Sequence, residues 1–182
     1  MITGHTQLLA HLGVPTESFK APMIYNPWFE KQGIDAVVVP MGVKPGDYAG
    51  TLAALARVTN LKGALVTMPH KVTTLSLADE ITPTARIAGA CNALLLRPDG
   101  TWLGDQFDGS GFVRGLLRKG RTLRGARVIV SGAGGVGSAI AASLAAEGVA
   151  HISLYDTYAA SAEGLAERLR THYPKLVVQT GS

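Results

Sequence analysis

Gly132-Ala133-Gly134-Gly135-Val136-Gly137 is the stretch whose residue types and spacing bear most directly on chemistry. A Gly-x-Gly-x-x-Gly run alone is a weak signal. Here it follows a β-branched run, Arg127-Val128-Ile129-Val130-Ser131, and opens an Ala-rich segment over 138–147 that suits a helix. That strand–turn–helix setting is the one in which such a run binds a dinucleotide. Gly132 would permit the tight turn, Gly134 the approach of a pyrophosphate to bare backbone, and Gly137 the close packing of helix on strand. Ala133, Gly135 and Val136 complete the loop, and the helix N-terminus offers free N–H groups to the phosphates. Asp156 closes the next predicted strand, 24 positions after Gly132. A carboxylate there would accept hydrogen bonds from the adenosine ribose and repel a 2′-phosphate. No arginine occurs among Thr157, Tyr158, Ala159 and Ala160, so NAD is the expected cofactor, with NADP as the open alternative. Asp156 also suits a helix N-cap.

These residues need an α/β scaffold, and the hydrophobic pattern predicts one. Strands are expected over 36–41, where Ala-Val-Val-Val-Pro-Met reads as a buried parallel strand with Pro40 near its end. Further strands are expected over 63–67, 127–131, 151–155 and 176–179. Pro98-Asp99-Gly100 marks a hairpin between 91–97 and 101–104. Helical spacing predicts helices over 23–32, 48–58, 75–78, 83–88, 109–119, 138–147 and 159–171. Residues 6–12 form only a short apolar–polar segment. The expected domains are 1–109, for substrate, and 110–182, a Rossmann-type dinucleotide-binding unit of which only the first mononucleotide half is expected in this chain.

Bulk properties narrow the classes. The 182 residues are 47% hydrophobic and 16% charged, which fits a globular fold and not a disordered tail. No run of eighteen apolar residues predicts a membrane span, and no secretory signal is evident. Cys91 stands alone, so it makes no internal disulfide and reads as a small buried hydrophobe, in keeping with a cytoplasmic protein. The net charge of +4 is concentrated in Arg114, Arg118, Lys119, Arg121, Arg124 and Arg127. No aromatic residues interleave with this run and no nucleic-acid motif accompanies it, so it reads as a solvated helix face and not a nucleic-acid site.

Three further segments carry a resemblance. Val66-Thr67-Met68-Pro69-His70-Lys71, Gly89-Ala90-Cys91-Asn92-Ala93 and Gly104-Asp105-Gln106-Phe107-Asp108-Gly109-Ser110-Gly111-Phe112 resemble, in order, the V-T-x-P-x-K, G-A-x-N-T and G-x-N-T-D-G-x-G-F motifs of the shikimate/quinate dehydrogenase family. With the Gly132–Gly137 run they extend over almost all of the chain. The resemblance implies a substrate domain followed by a Rossmann domain, with the active site in the cleft between them. It implies NAD(P)-dependent oxidation of a ring secondary alcohol such as shikimate, quinate or a related hydroxy acid. It makes Lys71 the acid/base group and Asp108 its partner, with Thr67 and Asn92 as substrate-hydroxyl ligands. The residue types suit the chemistry, because hydride removal from an alcohol also requires loss of the hydroxyl proton, and a lysine whose pKa is tuned can take it. His70 occupies a variable position of its motif and reads as structural or solvent-facing. A homodimer is compatible with this reading.

The chain departs from the family at its substrate anchor. Where the family carries S-x-S-P, this sequence reads Phe19-Lys20-Ala21-Pro22, and both hydroxyls are gone. Each lost hydrogen bond to a charged group costs roughly 1.5–3 kcal/mol, so a different alcohol is an open alternative. Ser18, Lys20 and Tyr25 are replacement candidates. Gln106-Phe107 also replaces Asn-Thr before Asp108, and Phe19 and Phe107 fit either a more apolar pocket or core packing. The competing reading is a ligand-sensing protein that keeps the fold without the chemistry.

Overall fold

The structure, a computed structural model, describes residues 2–181. It forms two compact units, one of residues 2–80 with 92–104, the other of 81–91 with 105–181. The division is therefore not the contiguous cut at 109 expected from the sequence. Residues 81–91 leave the first stretch and pack in the second unit.

The first unit is built on strands β1 (Gln7–Gly13), β2 (Ala36–Gly42), β3 (Leu61–Val66), β4 (Glu80–Ile81), β5 (Ala93–Leu96) and β6 (Trp102–Asp105), in the sheet order β2-β1-β3-β5-β6-β4. β1 runs parallel to both β2 and β3, and β5 is antiparallel to β3. β1 is the strand that the short apolar–polar segment concealed. It lies between two neighbours, so Ala10 and Leu12 are buried. β2 is an edge strand, which is why it tolerates Pro40 without losing a ladder bond. Its open side is closed in part by Asn26, whose amide accepts from Val38 N–H at 2.7 Å and donates to Val38 C=O at 3.1 Å. Helices α1 (Ala21–Gln32), α2 (Tyr48–Leu55) and α3 (Lys71–Leu77) complete the unit. α2 stops three residues short of the expected end, and α3 begins four residues early, at Lys71. The core gathers Leu12, Tyr48, Leu52, Leu61, Val66 and Trp102.

In the second unit, strands β7 (Arg127–Ser131), β8 (His151–Tyr155) and β9 (Val177–Gly181) form a parallel sheet in that order. Helices α4 (Pro83–Ala88), α5 (Asp108–Arg118), α6 (Gly135–Ala146) and α7 (Ala159–His172) belong with it. This is one mononucleotide-binding half of a doubly wound fold. The core is aliphatic, centred on Ile152, Leu154, Leu165 and Leu169, none of which is exposed. Ala141, Ala142 and Ala145 let α6 lie close to its neighbours. Arg168 on α7 holds α4 by donating from Nε to Ile87 C=O at 3.0 Å.

Candidate functional site

In the first unit the candidate residues meet at one end of the sheet. Thr67 follows the last residue of β3, its N–H donates to Leu12 C=O at 2.9 Å, and its C=O accepts from His70 N–H at 3.0 Å. That second bond closes the turn that delivers Lys71 to the first position of α3. Asn92 stands on the other side, because β5 runs antiparallel to β3, and its C=O accepts from Val66 N–H at 2.8 Å. Thr67, Lys71 and Asn92 thus share the carboxyl end of β1 and β3, the end at which α/β sheets bind ligands. Gly13 ends β1 there, and a side chain on it would strike Thr67 Cγ2 and the Met68 carbonyl.

His70 is structural, as expected. It is 2% exposed, its ring stacks on Tyr48 at 4.0 Å, and its Nε2 lies 2.8 Å from Val43 C=O. Tyr48 Oη and Thr74 Oγ1 lie 2.6 Å apart, and Thr74 Oγ1 donates to His70 C=O at 2.8 Å. This buried cluster anchors the turn that carries Lys71 and accounts for a helix start that β-branched Val72, Thr73 and Thr74 would not favour alone.

His11, on β1, was not legible as a site residue. It is 6% exposed, its ring lies 4.1 Å from that of Phe19, and its Nδ1 has no hydrogen-bond partner. Burial, and then the positive charge of Lys71, lower its pKa below the ordinary histidine value, so the imidazole beside Lys71 is neutral at pH 7. A histidine inside the apolar run Leu8-Leu9-Ala10-His11-Leu12 was the signal that could have drawn attention to it. Phe19 is half-buried against this ring, whereas Ser18, Lys20 and Tyr25 are exposed. Phe107 is 54% exposed and is not core.

In the second unit Asp108 opens α5, and its N–H donates to Gln106 Oε1 at 2.9 Å. Cys91 is buried without a disulfide, and burial followed by the nearby Asp105 charge pushes its thiol up to about 11. It is therefore an inert packing residue.

The Gly-rich loop has the form its spacing implied. Gly132 has φ +98°, a conformation open to glycine and strained for other residues. Gly137 faces Gly132 C=O so closely that no side chain would fit, whereas Gly134 faces open space. α6 begins at Gly135, not at 138, so Gly135, Val136 and Gly137 form its first turn with their N–H groups at the helix N-terminus. Ala133 differs from the others. It is buried, and its N–H donates to Asp156 Oδ2 at 2.6 Å. Asp156 Oδ1 accepts from Tyr158 N–H at 2.8 Å, and α7 starts beyond it, so Asp156 clamps the Gly-rich loop and is not the cap of that helix. The Ala133 N–H, then the Tyr158 N–H, hold its carboxyl below the usual carboxylate range. A cavity of about 380 Å³ lies against it, lined by Ser131, Gly132, Tyr155, Asp156 and Thr157. Open backbone at Gly134, a helix N-terminus and an ionised carboxylate beside a cavity fit a dinucleotide. No group of three or more His, Cys, Asp or Glu that could hold a metal ion occurs among the described residues.

The fold defines an α/β protein that couples a six-stranded mixed-sheet unit to a Rossmann-type half. Residues 12–94 match the family model described as the shikimate dehydrogenase substrate binding domain, and residues 115–168 match that of the ThiF family, over β7, the Gly-rich loop, α6 and β8. The chain is 38% identical over 167 residues to the shikimate dehydrogenase (NADP(+)) of Geobacter metallireducens, covering 91% of this chain and 58% of that one. The structure of shikimate 5-dehydrogenase from Listeria monocytogenes, in complex with shikimate and NAD, superposes with a TM-score of 0.91 at 30% identity, over 99% of this chain and 62% of that one. The 5-ketofructose reductase of a Gluconobacter strain superposes with a TM-score of 0.85 at 28% identity, over 97% of this chain and 62% of that one. The chain is thus similar to shikimate dehydrogenases over most of its own length. It spans between one half and two thirds of the length of these relatives. No described helix is long and apolar enough to cross a membrane.

Proposed function

We propose that this chain carries the substrate-binding residues and the first nucleotide half of an NAD(P)-dependent oxidoreductase that acts on a ring secondary alcohol: shikimate, quinate or a related hydroxy acid. The observation that carries the reading is the convergence of Thr67, Lys71 and Asn92 at the carboxyl end of β1 and β3. A threonine hydroxyl and an asparagine amide suit ligand hydroxyls, and a lysine ammonium beside them can exchange a proton with one. As the neutral amine, Lys71 takes the hydroxyl proton while hydride leaves the carbon, and as the resulting ammonium it returns that proton in the reverse direction. Asp108, at the start of α5, orients the same hydroxyl. When bound, the dinucleotide supplies the hydride acceptor. Gly134 and the first turn of α6 receive its pyrophosphate, and Asp156 faces its adenosine ribose. The Asp156 carboxylate favours NAD over NADP, since it would repel a 2′-phosphate. Residues 1–109 contain all the proposed substrate and acid/base groups, and 110–182 the nucleotide groups.

The test is Lys71→Ala in the full-length protein. Turnover of shikimate or quinate is expected to fall by two orders of magnitude or more, with dinucleotide affinity unchanged. Wild-type turnover in that variant would remove Lys71 from the chemistry.

A further inference from the structure

The second unit holds a cavity that no step of the proposed reaction uses. It has a volume of about 370 Å³ and lies between α4, α5 and α6, all of which belong to that one unit. Its floor is apolar: Ile87, Val113 and Ala142 line it and are between 3% and 8% exposed. Tyr173, half-buried just past the end of α7, adds an aromatic wall. Arg114 on α5 and Glu147 just past α6 stand at the exposed rim. Among the described residues neither of these side chains makes a hydrogen bond or an ion pair, with the other or with any third group. One cation and one anion thus border a single apolar hollow without neutralising each other. Its volume falls in the range of small-ligand pockets, which combine apolar walls with a few polar groups that fix orientation.

We propose that this cavity binds a free α-amino acid with an apolar side chain. The ligand carboxylate pairs with the Arg114 guanidinium, whose planar fork suits two parallel hydrogen bonds. The ligand ammonium pairs with the Glu147 carboxylate, and the side chain leaves water for the floor of Ile87, Val113 and Ala142. A zwitterion answers both rim charges, whereas a simple anion or cation would answer one and be repelled by the other. A wholly polar ligand would gain nothing from the floor. The binding is non-covalent and independent of the proposed reaction, since none of these residues has a part in it or in holding the dinucleotide.

L-Leucine is the probe, titrated at millimolar concentration into the full-length protein and followed by calorimetry. Saturable binding of one leucine per chain is expected, and N-acetyl-L-leucine amide, which carries neither charge, should not bind. Arg114→Met and Glu147→Gln should each weaken leucine binding by roughly tenfold or more, since each removes a hydrogen-bonded charge. Ala146→Phe fills the cavity from its exposed rim and leaves both charges in place, and should abolish binding. Arg118→Met, in the same basic run but outside the cavity, should leave it unchanged. All four positions are exposed, so the melting temperatures should stay close to that of wild type. Wild-type protein that binds no leucine would overturn the proposal. So would leucine binding that Arg114→Met, Glu147→Gln and Ala146→Phe all preserve, or equal binding of the uncharged derivative.

Discussion

Gly109→Ala sets the packing of α5 against the position of Asp108. Gly109 is buried where α5 crosses α6, and a methyl group on it would lie 2.5 Å from the carbonyl carbon of Ala139, and closer still to its oxygen and to Ser143 Oγ. The obstacle is backbone, so no rotamer change relieves it. Ordinary contact begins near 3.4 Å, so the helices must part by roughly 1–1.5 Å to restore it. Overpacking of this kind costs about 1–3 kcal/mol. Gly115, in the same helix, is exposed and faces nothing within 4 Å. There the same change should stabilise by about 0.5–1 kcal/mol, because alanine loses less backbone entropy on entering a helix. Thermal unfolding of the two variants should therefore move in opposite directions, by roughly 2–4 °C per kcal/mol for a chain of this size. Asp108, proposed to orient the substrate hydroxyl, adjoins Gly109, and a displacement of about 1 Å at a positioning group can cost on the order of 100-fold in rate. Gly109→Ala should accordingly lose more activity than its melting temperature suggests, while Gly115→Ala should lose none. A Gly109→Ala protein as stable as Gly115→Ala would refute the close approach of α5 and α6.

Two other outcomes follow from the charged and titrating groups. His11 has its pKa lowered in the folded state, first by burial and then by Lys71, so the unfolded chain takes up its proton first as the pH falls. Stability is thus full above the unfolded value of about 6.5 and is lost below it; melting temperatures between about pH 7 and pH 5 should fall in wild type, and an equal slope in His11→Leu would rule this out. Asp156→Ser should shift the ratio of kcat/KM for NAD over NADP by about tenfold toward NADP, since one like-charge repulsion is removed. Wild-type protein that already prefers NADP would show that the clamped carboxylate does not face the ribose phosphate.

Much of this protein was legible along the chain because its signals are local. The Gly132–Gly137 loop, β7, β8 and α7 depend on glycine φ angles, β-branched runs and helical spacing within a few residues, and they stand where the pattern put them. β1 was hidden, because a strand with few local markers is defined by the neighbours it pairs with. α3 was displaced toward Lys71 because its start is held by Tyr48, Val43 and His70, residues up to 27 positions apart in the chain. The same distinction governs the site residues. Sequence alone named Thr67, Lys71, Asn92, Asp108 and Asp156 as chemical types in a family order. Tertiary structure decided that Asn92 pairs beside Thr67, that Asp156 spends both oxygens on backbone N–H groups, and that His11 and Gln106 each bury a nitrogen without a partner. Whether a polar atom is satisfied depends on what the fold brings to it from elsewhere, and no window of neighbouring residues contains that information.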